Sequence, residues 1–310
     1  MAYKIGIVGL ENTGKSRSRI HIPDGENCFI ISTSTKALYL NNSTGKPIEK
    51  FHILGKQWKD MDEAKDFFGL QHSAPDVYVA KGVQKITRQP GNNPADLIAK
   101  KVMQGNFTLV KEISEVSDML QVVSEFMPHI HTVIIPDFTH FISRKIAQQD
   151  FIERKAGGEA YQRFWELAAD ALRSFMLSID DLRDDLTVVT EYHAQESELG
   201  KVTLFVPAGK MLEEKFRIPS YYDVFLFTDV DIESDLIGAV TKRNYRFVTK
   251  ATNRYPQARF VDDTIDTFIP SNLFEVLKLT RAALGMKIPE AWLPKPEPKK
   301  NAAKPATTTA

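Results

Sequence analysis

The chain has 310 residues, 43% of them hydrophobic, and its 40 Lys and Arg balance 40 Asp and Glu. This neutral balance excludes a global positive field, so any contact with a nucleic acid has to come from a local basic patch. The single cysteine, Cys28, excludes an internal disulfide framework and a zinc site built from several thiolates. Since no long apolar run or apolar leader occurs, we expect a soluble, cytoplasmic protein with no membrane contact.

The first thirty-odd residues predict a strand, a tight turn, a helix and a second strand. YKIGIVG is an apolar run that ends in glycine, and ENTG has the composition of a turn. A helix is expected to start in the segment from Lys15 to His21, and CFIIST (Cys28–Thr33) reads as a buried strand. Two strands joined by a short helix begin an α/β sheet.

The middle of the chain continues this alternation. MDEAKDFF and PADLIAKKVMQ predict helices, and FTLV predicts a strand. SEVSDMLQVVSEFM follows as an amphipathic helix that Ser114 or Ser117 caps, and HTVIIPD as a strand whose pairing has ended by Pro136.

The last part of the chain begins with a long helical region from about Phe151 to Leu182, whose apolar face includes Leu167. LTVVTEYH, KVTLFVPAGK, YDVFLFTDV and RNYRFVTKAT then predict strands, the late ones antiparallel. We therefore expect one α/β domain over residues 1–290, with a mostly parallel central sheet flanked by helices and antiparallel strands on its C-terminal side. The Pro-, Lys- and Ala-rich residues 291–310 predict a disordered tail.

One motif carries the clearest chemistry. GLENTGKS fits the pattern G-x-x-x-x-G-K-[ST] between a predicted strand and a predicted helix, which is the setting of a P-loop. In such a loop, glycines let backbone N–H groups turn toward a phosphate, Lys15 reaches the β- and γ-phosphates, and the Ser16 hydroxyl holds Mg²⁺. The expected nucleotide-binding residues are Gly9, Leu10, Glu11, Asn12, Thr13, Gly14, Lys15, Ser16 and Arg17.

A P-loop needs an acid at the end of a nearby strand to help hold the magnesium ion. Asp137 follows the strand TVII directly and is our second expected metal residue beside Ser16. A Pro-Asp turn at a strand end is the alternative reading of the same residues.

Two further groups are candidates for catalysis. Glu191 and His193 lie at the end of one predicted strand, where alternation puts them on one side, so either can orient water or sense the γ-phosphate. The late run RNYRFVTKATNRYPQAR is basic, and we choose Lys250 and Arg254 from it as residues that neutralise charge in the transition state. Polar strand ends and exposed hairpin charge are the alternatives.

Together, the P-loop, the strand-end Asp137, VVTEYHAQE and the final RFVTKATNRYPQAR resemble the RecA-like ATPases of bacteriophages, especially the Sak group implicated in single-strand annealing. The resemblance implies a RecA-like fold, a ring or filament of identical subunits, and single-stranded DNA bound by residues Thr139 to Lys155 and Gln195 to Lys210. It also implies phage single-strand-binding or replication proteins as partners and the host cytoplasm as location.

One departure from the recombinases is visible. They carry a catalytic glutamate at the end of the strand after the P-loop helix, whereas FIISTST offers only Ser and Thr at that place. Either Glu191 substitutes for it, or hydrolysis is slow and ATP acts mainly as an assembly switch.

Three functions are compatible with these features. The first is a Mg²⁺-dependent ATPase that acts on single-stranded DNA in phage recombination or replication. The second is a nucleotide-dependent assembly or interaction protein with little turnover. The third is a small-molecule kinase; a GTPase is disfavoured because the guanine-specifying N-K-x-D is absent.

Overall fold

The computed structural model describes residues 2–33, 39–42, 44–48, 79–80, 83–84, 107–110, 113–148, 158–207, 212, 216–234 and 240–293. Its strands, numbered in chain order, are β1 Tyr3–Gly9, β2 Cys28–Ser32, β3 Val79–Ala80, β4 Val83–Gln84, β5 Phe107–Leu109, β6 Thr132–Ile135, β7 Thr187–Glu196, β8 Val202–Leu204, β9 Val224–Ser234, β10 Val240–Val248 and β11 Phe268–Pro270.

The α-helices of the described residues are α1 Ile113–Phe126, α2 Phe138–Gln148, α3 Gly158–Asp180 and α4 Leu273–Ala283. Short 3-10 helices span Ser16–His21, Gly25–Asn27, Ile218–Tyr221 and Glu290–Trp292. Among these described helices, none has the length and apolar character needed to cross a membrane.

One large sheet organises the molecule. Its strands run in the order β11-β10-β9-β1-β7-β6-β2-β5, with β8 paired to the end of β7. The pairs from β9 through β1, β7, β6 and β2 to β5 are all parallel, whereas β10 is antiparallel to both β9 and β11. The structure therefore confirms an α/β fold with a mostly parallel sheet and antiparallel pairing near its C-terminal side.

The central strands are buried on both faces, as parallel strands covered by helices usually are. On one face, Phe138 of α2, Phe175 of α3 and Tyr192 of β7 belong to the larger apolar cluster, together with buried residues of α1. On the other face, Ile7 of β1 packs in a second cluster with Leu277 of α4. The sheet thus lies between two apolar layers.

The register brings three chain segments together at one sheet edge. Gly9, the last residue of β1, pairs with His193 of β7, and Ile135, the last residue of β6, pairs with Thr190. Since these strands are parallel, the loop after Gly9, the residues after Ile135 and the end of β7 emerge side by side.

Several sequence-based expectations are corrected by the structure. The first turn of α1 begins at Ile113, and the Ser117 hydroxyl donates to the carbonyl of Ile113 inside the helix, so Ser117 does not cap it and Ser114 lies inside it. Leu167 is 45% exposed, because its side of α3 faces solvent. Strand β6 does end before Pro136, as the missing proline N–H predicts.

Other expectations lie outside the described residues. They are the helices MDEAKDFF and PADLIAKKVMQ, the first part of the long helical region, and the tail beyond Leu293.

Candidate functional site

The loop between β1 and the first 3-10 helix folds around the side chain of Lys15. The Lys15 ammonium donates to the carbonyl oxygens of Gly9 at 2.6 Å and Leu10 at 3.1 Å. The Thr13 hydroxyl also donates to the Leu10 carbonyl, at 2.7 Å. Asn12 and Gly14 adopt positive φ angles of 60° and 89°, so the chain reverses tightly here. The loop thus carries a cation whose ammonium is held by two carbonyl oxygens of its own backbone.

The two glycines of the motif are also required by packing. A Cβ atom on Gly9 would lie 1.9 Å from Oγ1 of Thr228 and 2.7 Å from Oγ1 of Thr13. A Cβ atom on Gly14 would lie 2.7 Å from Cδ1 of Tyr245, and the positive φ disfavours a side chain as well. Strands β9 and β10 therefore pack directly on the loop.

The helix after the loop is shorter than expected. It is a 3-10 helix of six residues, Ser16–His21, and Ile22 is already extended. Pro23 explains the end, since the residue before a proline avoids the helical region. A helix of this length contributes little dipole, so any phosphate bound here would depend on the loop backbone and on Lys15.

Asp137 and His193 lie together at the mouth of the same loop. Asp137 follows β6 with a φ of 55°, and its Oδ1 lies 3.7 Å from Nε2 of His193. The backbone N–H of His193 donates to the Thr139 hydroxyl at 2.9 Å, which fixes the end of β7 against the start of α2.

The electrostatics around His193 favour its neutral form. Burial lowers the pKa of His193, the positive charge of Lys15 lowers it further, and the carboxylate of Asp137 offsets part of this shift. A neutral imidazole beside a cation and a carboxylate is able to accept a hydrogen bond from water.

Glu191 has a different environment from the one its position in the sequence predicted. Its carboxylate is 1% exposed and forms a two-point ion pair with Arg19, with Nε–Oε1 and Nη2–Oε2 distances of 2.8 and 2.6 Å. It shares a strand face with His193, as alternation predicts, but its position lies deeper in the sheet. The pair joins β7 to the 3-10 helix that follows the loop.

The loop opens into a cleft of about 760 Å³. From the expected site it includes seven loop residues together with Asp137 and His193, and four other residues complete its lining. The described lining is Glu11, Asn12, Thr13, Gly14, Lys15, Ser16, Arg17, Ile20, Tyr39, Asp137, His193, Arg243 and Tyr245.

Lys250 and Arg254 do not line this cleft. Arg254 lies beyond β10, where its Nη2 is 3.1 Å from Oε1 of Glu196 and its carbonyl accepts the N–H of Val202. Lys250 lies near Asp262; hydrogen bonds from Thr264, and then the charge of Lys250, lower the pKa of that carboxyl.

The basic run instead supplies Arg243 and Tyr245 to the cleft. The Arg17 guanidinium carbon lies 5.4 Å from the centre of the Tyr245 ring, which joins the loop to β10. The sequence-based prediction named Lys250 and Arg254 from this run; the period-two alternation that places residues 243 and 245 on one face was the signal for these two members.

The metal chemistry of the cleft is limited to a few groups. Within the part of the chain that the structure describes, no cluster of three or more His, Cys, Asp or Glu side chains is arranged to hold a metal ion. The cleft does combine the Ser16 hydroxyl with the Asp137 carboxylate. Oxygen ligands of this kind suit Mg²⁺, which usually keeps several waters and binds phosphate oxygens alongside few protein groups.

Comparison with known proteins gives no relative from which to transfer a function. No model of a protein family matches the chain, and a search of curated proteins finds no significant match.

Proposed function

We propose that this protein is a RecA-like P-loop ATPase that binds Mg-ATP in the cleft at the end of β1. The observation that carries the proposal is the convergence of Lys15 and Ser16, on one loop, with Asp137 and His193 at the ends of two neighbouring strands. A loop lysine, a loop serine and a strand-end aspartate are the side chains with which P-loop NTPases hold a nucleoside triphosphate and its magnesium ion, and His193 lies beside them.

The sheet order supports the RecA-like assignment. Strand β7 lies between β1, which carries the phosphate loop, and β6, which carries the acid. The end of β7 therefore lies between the loop and Asp137, which is the position from which His193 would sense a γ-phosphate.

The residues fit the proposed ligand. Lys15 would exchange its hydrogen bonds to Gly9 and Leu10 for phosphate oxygens, while Ser16 and Asp137 would hold Mg²⁺. The bound ion would neutralise the phosphate charge that develops during transfer. Arg243 would add a second cation from β10, in the role that the sequence assigned to Lys250 and Arg254.

The environment of Glu191 supports slow turnover. Both its carboxylate oxygens contact Arg19, so using it as a base would leave a buried guanidinium without its partner. We assign the positioning of water to His193, whose lowered pKa keeps it neutral and able to accept a proton.

A nucleotide-dependent assembly protein with little turnover is a second candidate. In the described lining of the cleft, Glu11 and Asp137 are the only carboxylates, and Asp137 has its role beside magnesium. If His193 senses the γ-phosphate without taking a proton, a site with these Mg²⁺ and phosphate ligands is suited to binding ATP as a switch for homo-oligomer assembly.

The proposal that the protein binds DNA rests on the sequence resemblance to RecA-like ATPases and on the position of two segments in the fold. The two segments that would bind single-stranded DNA, Thr139 to Lys155 and Gln195 to Lys210, begin at the sheet edge that carries the cleft. Residues 149–157 and 208–210 of these segments lie outside the described structure. Recombination or replication on phage DNA, with single-strand-binding proteins as partners, is the corresponding cellular role.

The test is ATP turnover by the purified chain and by Lys15→Ala, each with and without single-stranded DNA at low salt. We expect magnesium-dependent turnover that DNA stimulates and that Lys15→Ala abolishes. Tight ATP binding with turnover equal to that of Lys15→Ala would favour the assembly protein. Failure to bind DNA in either nucleotide state would remove the DNA part.

A further inference from the structure

A second cavity of about 600 Å³ adjoins the cleft on the other side of Tyr245. The two cavities share four wall residues, namely Gly14, Arg17, Arg243 and Tyr245. The two cavities are therefore direct neighbours, and the side chains at their boundary can contact a ligand in either one.

The chemistry of the wall changes from one cavity to the other. The cleft is lined by Lys15, Asp137 and His193, whereas the second cavity has the aromatic ring of Phe268 and the apolar surface of Ile269 and Pro270. It also has hydrogen-bonding side chains in Asn244, Ser271 and Asn272.

The cations that line the two cavities also differ in whether a carboxylate neutralises them. Among the described residues, no carboxylate forms an ion pair with Arg17 or Arg243, the two cations shared with the cleft. Arg246, deeper in the second cavity, is neutralised by Asp229 at an Nε–Oδ2 distance of 2.7 Å, and its guanidinium carbon lies 4.3 Å from the centre of the Phe268 ring. Uncompensated positive charge is thus concentrated where the cavities meet.

We infer that the second cavity binds the nucleoside part of the nucleotide, with the base against Phe268 and Tyr245. This inference rests on the proposed function, because it needs the phosphates in the loop. An uncharged aromatic base matches the aromatic and apolar part of this wall, where Arg246 is already paired with Asp229, and the phosphates match the cations shared by the two cavities.

The experiment compares Mg-ATP with magnesium tripolyphosphate, which has the phosphates but no nucleoside, by calorimetric titration. The wild-type chain should bind ATP more tightly than tripolyphosphate. Phe268→Ala and Tyr245→Ala should weaken ATP binding roughly tenfold, the size expected for loss of a stacked base, and leave tripolyphosphate binding within about twofold.

Two further variants show whether a loss of ATP binding comes from a lost stacking contact or from a damaged fold. Ile232→Ala removes a 52% exposed side chain from the same hairpin outside both cavities and should change neither affinity. Tyr245→Phe keeps the ring and should retain ATP binding.

Three outcomes would decide against the inference. Equal wild-type affinities for ATP and tripolyphosphate would overturn it, and so would alanine variants that weaken both ligands alike or neither. If the wild-type chain binds neither ligand, the proposed function itself is wrong, which is a different and recognisable result.

Discussion

Two regions meet at the cleft, and they are built in different ways. The first is the edge formed by β1, β6 and β7, where the loop after β1, Asp137 after β6 and His193 near the end of β7 lie side by side. The second is the β9–β10 hairpin, which reaches the loop only because β9 pairs with β1 more than two hundred residues later in the chain. The Thr13 and Thr228 hydroxyls, 2.5 Å apart, join the two regions.

The difference teaches that strand direction decides which residues of a basic run reach a site. Arg243 and Arg254 are close in sequence, but β10 runs antiparallel to β9, so its first half lies beside the loop. The chain then turns away and carries Arg254 to Glu196. A run of cationic residues in the sequence predicts a basic patch, but only the strand pairing shows where in the fold each of these residues lies.

The largest expected effect concerns the first region and its buried ion pair. Glu191→Ala should destabilise the fold by about 3–5 kcal/mol, because it leaves the 2% exposed Arg19 guanidinium without its partner. Urea unfolding followed by circular dichroism measures the loss. Glu196→Ala, which removes a surface partner from the same strand, is the control and should cost less than about 1 kcal/mol. Equal losses of unfolding free energy in the two variants would mean that the buried ion pair stabilises the fold no more than the surface pair does.

The second prediction compares two arginines of the basic run, one that lines the cleft and one that does not. Arg243→Ala should lower ATP turnover about 100-fold, because it removes a cation that faces the proposed phosphates. Arg254→Ala should leave turnover within about twofold, since its partner Glu196 lies away from the cleft. Steady-state kinetics on both variants provides the test, and a larger loss in Arg254→Ala would reverse the comparison.

The third prediction concerns the contact between the regions. Gly14→Ala should cost about 1–3 kcal/mol, since the added Cβ meets both a positive φ and the Tyr245 ring. Gly45→Ala isolates the backbone part, because Gly45 has a similar φ of 79° and, apart from its chain neighbours, its added Cβ meets no atom of the described residues within 4 Å. Thermal unfolding should show a larger loss for Gly14→Ala; equal losses would indicate that the ring moves away freely.

The smallest expected effect is a pH dependence. The pKa of His193 is lowered in the folded chain by burial and by Lys15, so below about pH 6.5 the unfolded chain binds more protons than the folded one. Stability should therefore fall as the pH decreases through this range, and His193→Gln should make the fall shallower.

Urea midpoints between about pH 7.5 and 5.5 measure this slope. His21→Gln, which changes an exposed histidine of the 3-10 helix, is the control and should keep the wild-type slope. A His193→Gln slope as steep as that of the wild type would contradict the assignment.

Much of the sheet could be predicted because its signals are local. The buried strands β1, β2, β6 and β7 are short apolar runs next to turn residues, and the ends of β1 and β6 follow from Gly9 and Pro136. The loop motif and Asp137 could be predicted as a candidate site for the same reason, since the loop begins where β1 ends and Asp137 lies two residues after β6.

The remaining features depend on long-range contacts that a sequence pattern does not contain. Glu191 reads as a free carboxylate at a strand end, and only the fold brings Arg19 within 2.8 Å of it. Tyr245 reads as one more residue of an alternating strand, and its packing on Gly14 needs the pairing of β9 with β1. The end of the short 3-10 helix could be predicted from the sequence, because Pro23 keeps the residue before it out of the helical region.

The central claim, a Mg-ATP site built on the loop, is tested most directly by calorimetric titration of ATP into the wild-type chain and Lys15→Ala, with and without magnesium. The exposed Lys201→Ala serves as the matched control. The account predicts binding that magnesium strengthens, a loss of at least about tenfold in Lys15→Ala, and no change in Lys201→Ala. Equal binding by the wild type and Lys15→Ala would contradict it.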